Sequence, residues 1–161
     1  LVILGIDPSL NATGWAVINI VNRSAKLVAS GVIMPTCKTD DYLRKIQNIS
    51  GQIKAVIELH CPSAVAIEQT VVNTNALSSL KLGMVRGACV AMCYLKDILP
   101  VEYAPTTVKL SIVGSGGAKK DQVAFLVKQI LSLGNSYQFA FEDESDAAAI
   151  ALTYCLHHRL I

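Results

Sequence analysis

Charge is scarce in this chain. Only 16% of its 161 residues are Asp, Glu, Lys or Arg, twelve acids against fourteen bases, whereas 52% are hydrophobic. So apolar a composition excludes a disordered chain, and the length suits one hydrophobic core, so residues 1–161 are expected to form a single domain. Long apolar runs are also missing. None reaches the roughly 18 residues that cross a bilayer, so no membrane span is expected. The opening Leu1–Ile6 is short for a signal peptide and Asp7 interrupts it, which predicts a soluble protein. The five cysteines (37, 61, 89, 93 and 155) are odd in number and include no CxxC pair. That speaks against a disulfide framework and for a reducing compartment. Cys89 and Cys93 with His157 and His158 offer a conceivable zinc set, but free cysteines more often serve as small buried hydrophobes.

Internal repeats, low-complexity stretches and long linkers are absent as well. What is present is a regular alternation of apolar segments. Leu1–Asp7 reads as a buried strand, followed by strands at Thr13–Val21 and Lys26–Met34 around a turn-like Asn22-Arg-Ser-Ala, an antiparallel meander. Between Asp40 and Leu59 the residues Leu43, Ile46, Ile49, Ile53 and Val56 recur at steps of three and four, marking an amphipathic helix that Pro62 stops. A short strand at Ala64–Ile67, a helix at Asn75–Asp97, a strand at Val101–Ala104 and helices at Asp121–Leu133 and Asp146–His158 complete the reading. Three meandering strands followed by alternating helices and strands are the layout of the α/β RNase H-like fold, a mixed five-stranded sheet with helices on both faces. Within the second helix Ser79, Gly83, Gly87 and Ala91 form a nearly side-chain-free stripe. Glycine weakens a helix interior, so close approach should compensate, either by the chain's own sheet or by a second copy.

Because acids are few, their places carry information. Asp7 directly follows Leu4-Gly-Ile6, and Glu68 directly follows Ala64-Val-Ala-Ile67. Asp143 and Asp146 stand three apart at the start of an apolar helix, on one side of it. Each alone has an ordinary explanation as a turn residue, a strand end or a helix cap. Together they suggest chemistry, since adjacent first and fourth strands would bring Asp7 and Glu68 to one sheet end and a packed helix could add the other two. Carboxylates so gathered repel one another unless cations join them, and hard oxygen ligands suit Mg²⁺ or Mn²⁺. Two such ions support phosphodiester hydrolysis with no covalent nucleophile. Net charge is only +2, yet Lys81 to Lys128 holds seven basic residues against three acidic ones, either a phosphate-facing patch or an ordinary solvated surface.

Four stretches carry a resemblance: Gly5-Ile-Asp-Pro8 with Thr13-Gly-Trp15, Ala66-Ile-Glu-Gln69, Leu80-Lys-Leu-Gly83 with Arg86-Gly87, and Asp143–Asp146 followed by Ala147-Ala-Ala-Ile-Ala151. In this order and spacing the chain resembles the RuvC family of bacterial Holliday-junction resolvases over nearly its whole length. The resemblance implies a cytoplasmic homodimer that binds four-way DNA junctions and nicks two opposed strands symmetrically with Mg²⁺ (or Mn²⁺), in partnership with the RuvA–RuvB branch-migration machinery. It assigns the catalytic and metal-binding roles to Asp7, Glu68, Asp143 and Asp146, and DNA contact to Lys109 and Lys120, with Lys119 beside the latter.

Departures from the family pattern are specific. Ser9 stands where glycine is common, and Val71 where some members carry an aromatic side chain that unstacks junction bases. An aliphatic wedge separates bases but stacks on them less well than a ring. Glu142 and Glu144 flank Asp143 and are alternatives to it as a metal ligand. Three rival readings remain: a non-catalytic junction-binding dimer of the same fold, an RNase H-like nuclease with another substrate, and an actin-like phosphotransferase. The last would need a glycine-rich phosphate loop that Pro8-Ser-Leu-Asn-Ala-Thr does not supply.

Overall fold

Side-chain alternation along one central strand organises the molecule. The computed structural model describes residues 1–36, 41–70, 74–134 and 136–161. Its elements are β1 (Val2–Asp7), β2 (Thr13–Val21), β3 (Ser24–Ile33), α1 (Tyr42–His60), β4 (Ala64–Glu68), α2 (Ala76–Tyr94), β5 (Val101–Tyr103), α3 (Pro105–Val113), α4 (Lys120–Ile130) and α5 (Glu142–His157). The sheet runs β3-β2-β1-β4-β5, with β1–β2 and β2–β3 antiparallel and β1–β4 and β4–β5 parallel. The expected five-stranded mixed sheet is therefore present. Asn22 and Arg23 turn the β2–β3 hairpin with φ of 49° and 61°, the pair of positive values a type I′ turn requires.

Successive strand residues face opposite sides. Ile3 on β1 and Ala66 on β4 join the core beneath α3, α4 and α5, whereas Leu4, Ile6, Val65 and Ile67 join the core beneath α1 and α2. Helices thus cover both faces. On one side Ile49, Ile53 and Ile57 of α1 and Val85, Cys89 and Cys93 of α2 are buried. On the other, ten of the sixteen residues of α5 are buried, four of them the alanines 147, 148, 149 and 151, whose small side chains let the helix press onto the strands.

Three expectations need correction. Helix α3 lies where no element is expected between Ala104 and Asp121, although Pro105 at its first turn and the i,i+4 pair Val108 and Ile112 are helix signals, and both residues of that pair are buried. Helix α5 begins at Glu142, four residues before the expected start, because Glu142, Asp143 and Glu144 complement the positive end of the helix dipole. Helix α2 is long and apolar enough in composition to cross a bilayer, contrary to the expected lack of such a segment. Here it is a covering helix, with three residues in the core and Arg86 ion-paired to Glu102 next to the edge of the sheet.

The small-residue stripe of α2 does not touch the sheet. A methyl group placed on Gly83 or Gly87 would meet nothing within 4 Å, so close packing among the described residues does not explain it. The thiols behave as the bland reading held: Cys89 and Cys93 are fully buried, and burial pushes them up to about 12 and about 11. They lie on the inner side of α2, across the sheet from His157 and His158 on and just after α5, so the zinc set does not assemble. Cys37 lies outside the described residues.

Candidate active site

The same alternation that builds the core aims two acids. Asp7 ends β1 on the face of Ile3 and Gly5, and Glu68 ends β4 on the face of Ala64 and Ala66. The strands are parallel neighbours with Ile6 opposite Ile67, so both carboxylates leave the same end of the sheet toward α5. That helix can approach because the strands below it carry glycine where a side chain would intrude. A Cβ on Gly5 would stand 2.8 Å from the Ala151 nitrogen, and one on Gly14 would stand 2.6 Å from the Asp143 carbonyl carbon. Asp146 is thereby held beside Asp7 and Glu68, and the three line one cavity of about 220 Å³.

Lys109 of α3 and Lys120 of α4 line the same cavity, whose remaining wall is Pro105, Val108, Val123 and Ala149. Burial and, after it, the Glu68, Asp146 and Asp143 charges push the Asp7 carboxyl up to about 8. Burial and the Asp146 charge push Glu68 up to about 7, against the opposing pull of Lys120 and Lys109. Lys120 donates to Asp146 Oδ2 at 2.8 Å and lies 3.9 Å from Glu142 Oε2, and the bond to Asp146 holds its ammonium above the usual lysine range. The site is a negative pocket with a lysine laid across its rim.

The other expected residues divide. Asp143 is close enough to raise Asp7 but does not line the cavity. Glu144 is turned away: it is buried, and its Oε2 accepts from Ser30 Oγ at 2.7 Å, which removes it as an alternative to Asp143. Glu142 is exposed, and among the described residues its carboxylate pairs with Lys120. Lys119 stands at the start of α4, its backbone N–H donating to Gln122 Oε1 at 2.9 Å, outside the cavity lining. Val71 lies outside the described residues. Ser9 is not in the left-handed region, and its backbone exchanges hydrogen bonds of 3.1 and 2.6 Å with the Thr13 hydroxyl, so the family's glycine is not needed there.

Among the described residues, no group of three or more His, Cys, Asp or Glu is drawn together closely enough to hold a metal ion as it stands. Asp146 is engaged by Lys120 instead, at 2.8 Å. The donor chemistry still fits a hard cation, because Asp7 and Glu68 are carboxyls whose charged forms lack a sufficient counter-charge. Sequence reasoning missed the apolar wall and the Ser30–Glu144 contact. Only the former had a signal, the Pro105 helix start.

A family model described as crossover junction endodeoxyribonuclease RuvC matches residues 3–154. The chain is similar to the crossover junction endodeoxyribonuclease RuvC of Rickettsia bellii, 40% identical over 156 residues that span 97% of each protein. Among solved structures it resembles Thermus thermophilus RuvC in complex with Holliday junction substrate, with a TM-score of 0.87, 27% identity and coverage of 99% and 96% of the two chains. The yeast mitochondrial Holliday junction resolvase Ydc2 shares the fold, with a TM-score of 0.68 at 15% identity over 98% of this chain and 80% of that one.

Proposed function

Since this chain belongs to the RuvC family of crossover junction endodeoxyribonucleases, with the Holliday-junction resolvase function of that family, we propose that it cuts four-way DNA junctions by paired, metal-dependent nicks in opposed strands. Residues 1–161 act as one nuclease domain. Asp7, Glu68, Asp143 and Asp146 hold two Mg²⁺ ions, with Mn²⁺ able to replace them. Once bound, the cations supply Lewis-acid stabilisation of the charge that develops on the phosphodiester during hydrolysis.

The observation that carries this reading is the convergence of Asp7, Glu68 and Asp146 on one cavity with two lysines at its edge. Without cations, burial and the neighbouring acids hold the Asp7 and Glu68 carboxyls well above the usual carboxylate range, and loading the site favours their charged forms. Lys109 and Lys120 lie where a DNA phosphate would approach the carboxylates, and Lys119 extends the positive edge. Such contacts fix the backbone and make binding salt-dependent, but they carry no sequence preference. Pro105, Val108, Val123 and Ala149 give the same cavity an apolar wall, which limits the water that reaches the carboxylates. Val71 is assigned the wedge that parts junction bases.

Symmetric cutting needs two sites, hence a homodimer. The outer side of α2 supports this: Gly83 and Gly87 face open space, and Leu77, Leu80 and Met84 are 59%, 63% and 38% exposed. Exposed apolar side chains around a stripe free of side chains suit close helix-to-helix contact. The expected setting is the cytoplasm, alongside a RuvA–RuvB complex.

The test is cleavage of a mobile-core four-way junction with Mg²⁺ or Mn²⁺, beside an Asp7→Asn variant and a linear duplex. Paired nicks that require metal and Asp7 are expected. Binding without cutting on every core sequence would favour a non-catalytic junction-binding dimer, and equal cutting of the duplex would name the wrong substrate.

A further inference from the structure

We propose that Ser30 and Glu144 form a positioning pair that fixes the first turn of α5, and with it Asp143 and Asp146, for cation binding. The inference rests on the metal-site reading above and adds to it a residue pair outside the site. Phe141, which precedes α5, makes no side-chain cap bond, so the turn is not held by the usual means. Among the described residues, the hydrogen bond that ties this turn to the sheet is Ser30 Oγ to Glu144 Oε2, at 2.7 Å. Ser30 lies on β3 opposite Ala16 of β2, and Ala16 belongs to the core under α5, so the serine faces the helix.

Glu144 is only 7% exposed, and it lies next to Asp143 and two residues before Asp146. A buried acid beside other acids is a costly choice where the helix continues as Ala147-Ala-Ala. The positive end of α5 offsets part of that cost, and the serine satisfies one carboxylate oxygen. Geometry supplies the use. Residues on a helix advance by about 100° each, so Asp143 and Asp146 share one side while Glu144 points to another. Anchoring Glu144 to β3 sets the rotation of the helix about its axis, and both aspartates turn with it.

The pair is tested by titrating Mn²⁺ into purified protein without DNA, followed by electron paramagnetic resonance, with thermal melting and metal-free junction binding as controls for folding. Glu144→Ala and Ser30→Ala are each expected to weaken Mn²⁺ binding, the former on the order of tenfold, as for other groups that orient metal ligands. Glu144→Gln keeps the acceptor for Ser30 and should bind Mn²⁺ nearly as wild type does. The double alanine variant should be no worse than Glu144→Ala, because the two changes remove one contact. Unchanged binding in Glu144→Ala, a Glu144→Gln variant as weak as the alanine, or effects that add would each overturn the pairing. Wild-type protein that binds no Mn²⁺ would remove the metal-site reading and the pair with it, whereas wild-type binding with silent variants removes the pair alone.

Discussion

Gly14→Ala adds one methyl group to β2, and it should disable cleavage more than it disables folding. The new Cβ would stand 2.6 Å from the Asp143 carbonyl carbon and 3.0 Å from the Asp143 Cβ. Ordinary carbon contacts lie near 3.5–4.0 Å, so about 1 Å must be found. The strand cannot supply it, because Thr13, Ala16, Val17 and Ile18 are fully buried and β2 is paired on both sides. The first turn of α5 must lift instead, carrying Asp143 and Asp146. A misplacement of about 1 Å in a reacting array costs roughly a hundredfold in rate, and overpacking costs about 1–3 kcal/mol of stability. The assay is junction cleavage at saturating Mg²⁺, with junction binding in the absence of metal and thermal melting on the same preparations. Cleavage should fall about a hundredfold, with a melting temperature lower by about 2–12 °C and metal-free binding nearly unchanged. Gly51→Ala is the matched control: a methyl there meets nothing within 4 Å, and replacing glycine within α1 should stabilise by about 0.5–1 kcal/mol. A Gly14→Ala variant that cleaves as fast as wild type would refute the claim that contact at Gly14 places the aspartates.

Two further outcomes follow from other parts of the molecule. The Asp7 and Glu68 carboxyls, at about 8 and about 7 when folded, lie above their ordinary values of 3.8 and 4.5. Below about pH 4 both states are largely protonated; as pH rises the unfolded chain ionises first, so the metal-free protein should lose stability up to about pH 8. Mg²⁺ should restore it and Asp7→Asn should flatten the decline, as melts at pH 5 and pH 8 would reveal; metal-free stability that rises over this range would contradict the assignment. Arg23 occupies the left-handed region with φ of 61° in the β2–β3 turn, where glycine is favoured. Arg23→Gly should therefore raise stability by about 0.5–1 kcal/mol in a denaturant titration, with cleavage untouched, and a loss of stability would deny the type I′ geometry.

The sequence made some of this legible because chemistry and periodicity coincide at the sheet end. Asp7 and Glu68 interrupt apolar strands, and a period of two fixes their side once the neighbouring residues are known to be core. The start of α5 was less legible. Acids at its first turn can be caps, ligands or anchors, and the sequence Glu142-Asp-Glu-Ser-Asp146 does not distinguish them. Only the tertiary contact with Ser30, 114 residues away, separates Glu144 from Asp143. Helix α3 was missed for a different reason: only two of its residues, Val108 and Ile112, are buried, so its apolar period is short.

The glycines connect these two levels. In the sequence, Gly5 two residues before Asp7 and Gly14 beside Thr13 are merely parts of short motifs, and Gly83 and Gly87 look like the same kind of signal. Their surroundings differ completely. Gly5 and Gly14 are filled against the backbone of α5, whereas Gly83 and Gly87 open onto space. The first pair therefore acts within the chain, by letting a helix bring Asp146 to acids that belong to the sheet. The second pair meets nothing among the described residues, which leaves its stripe free for a second copy of the chain. Seen this way, the acids supply the chemistry, but the missing side chains decide where it happens, which is why a methyl group on β2 should cost more activity than the loss of a surface charge.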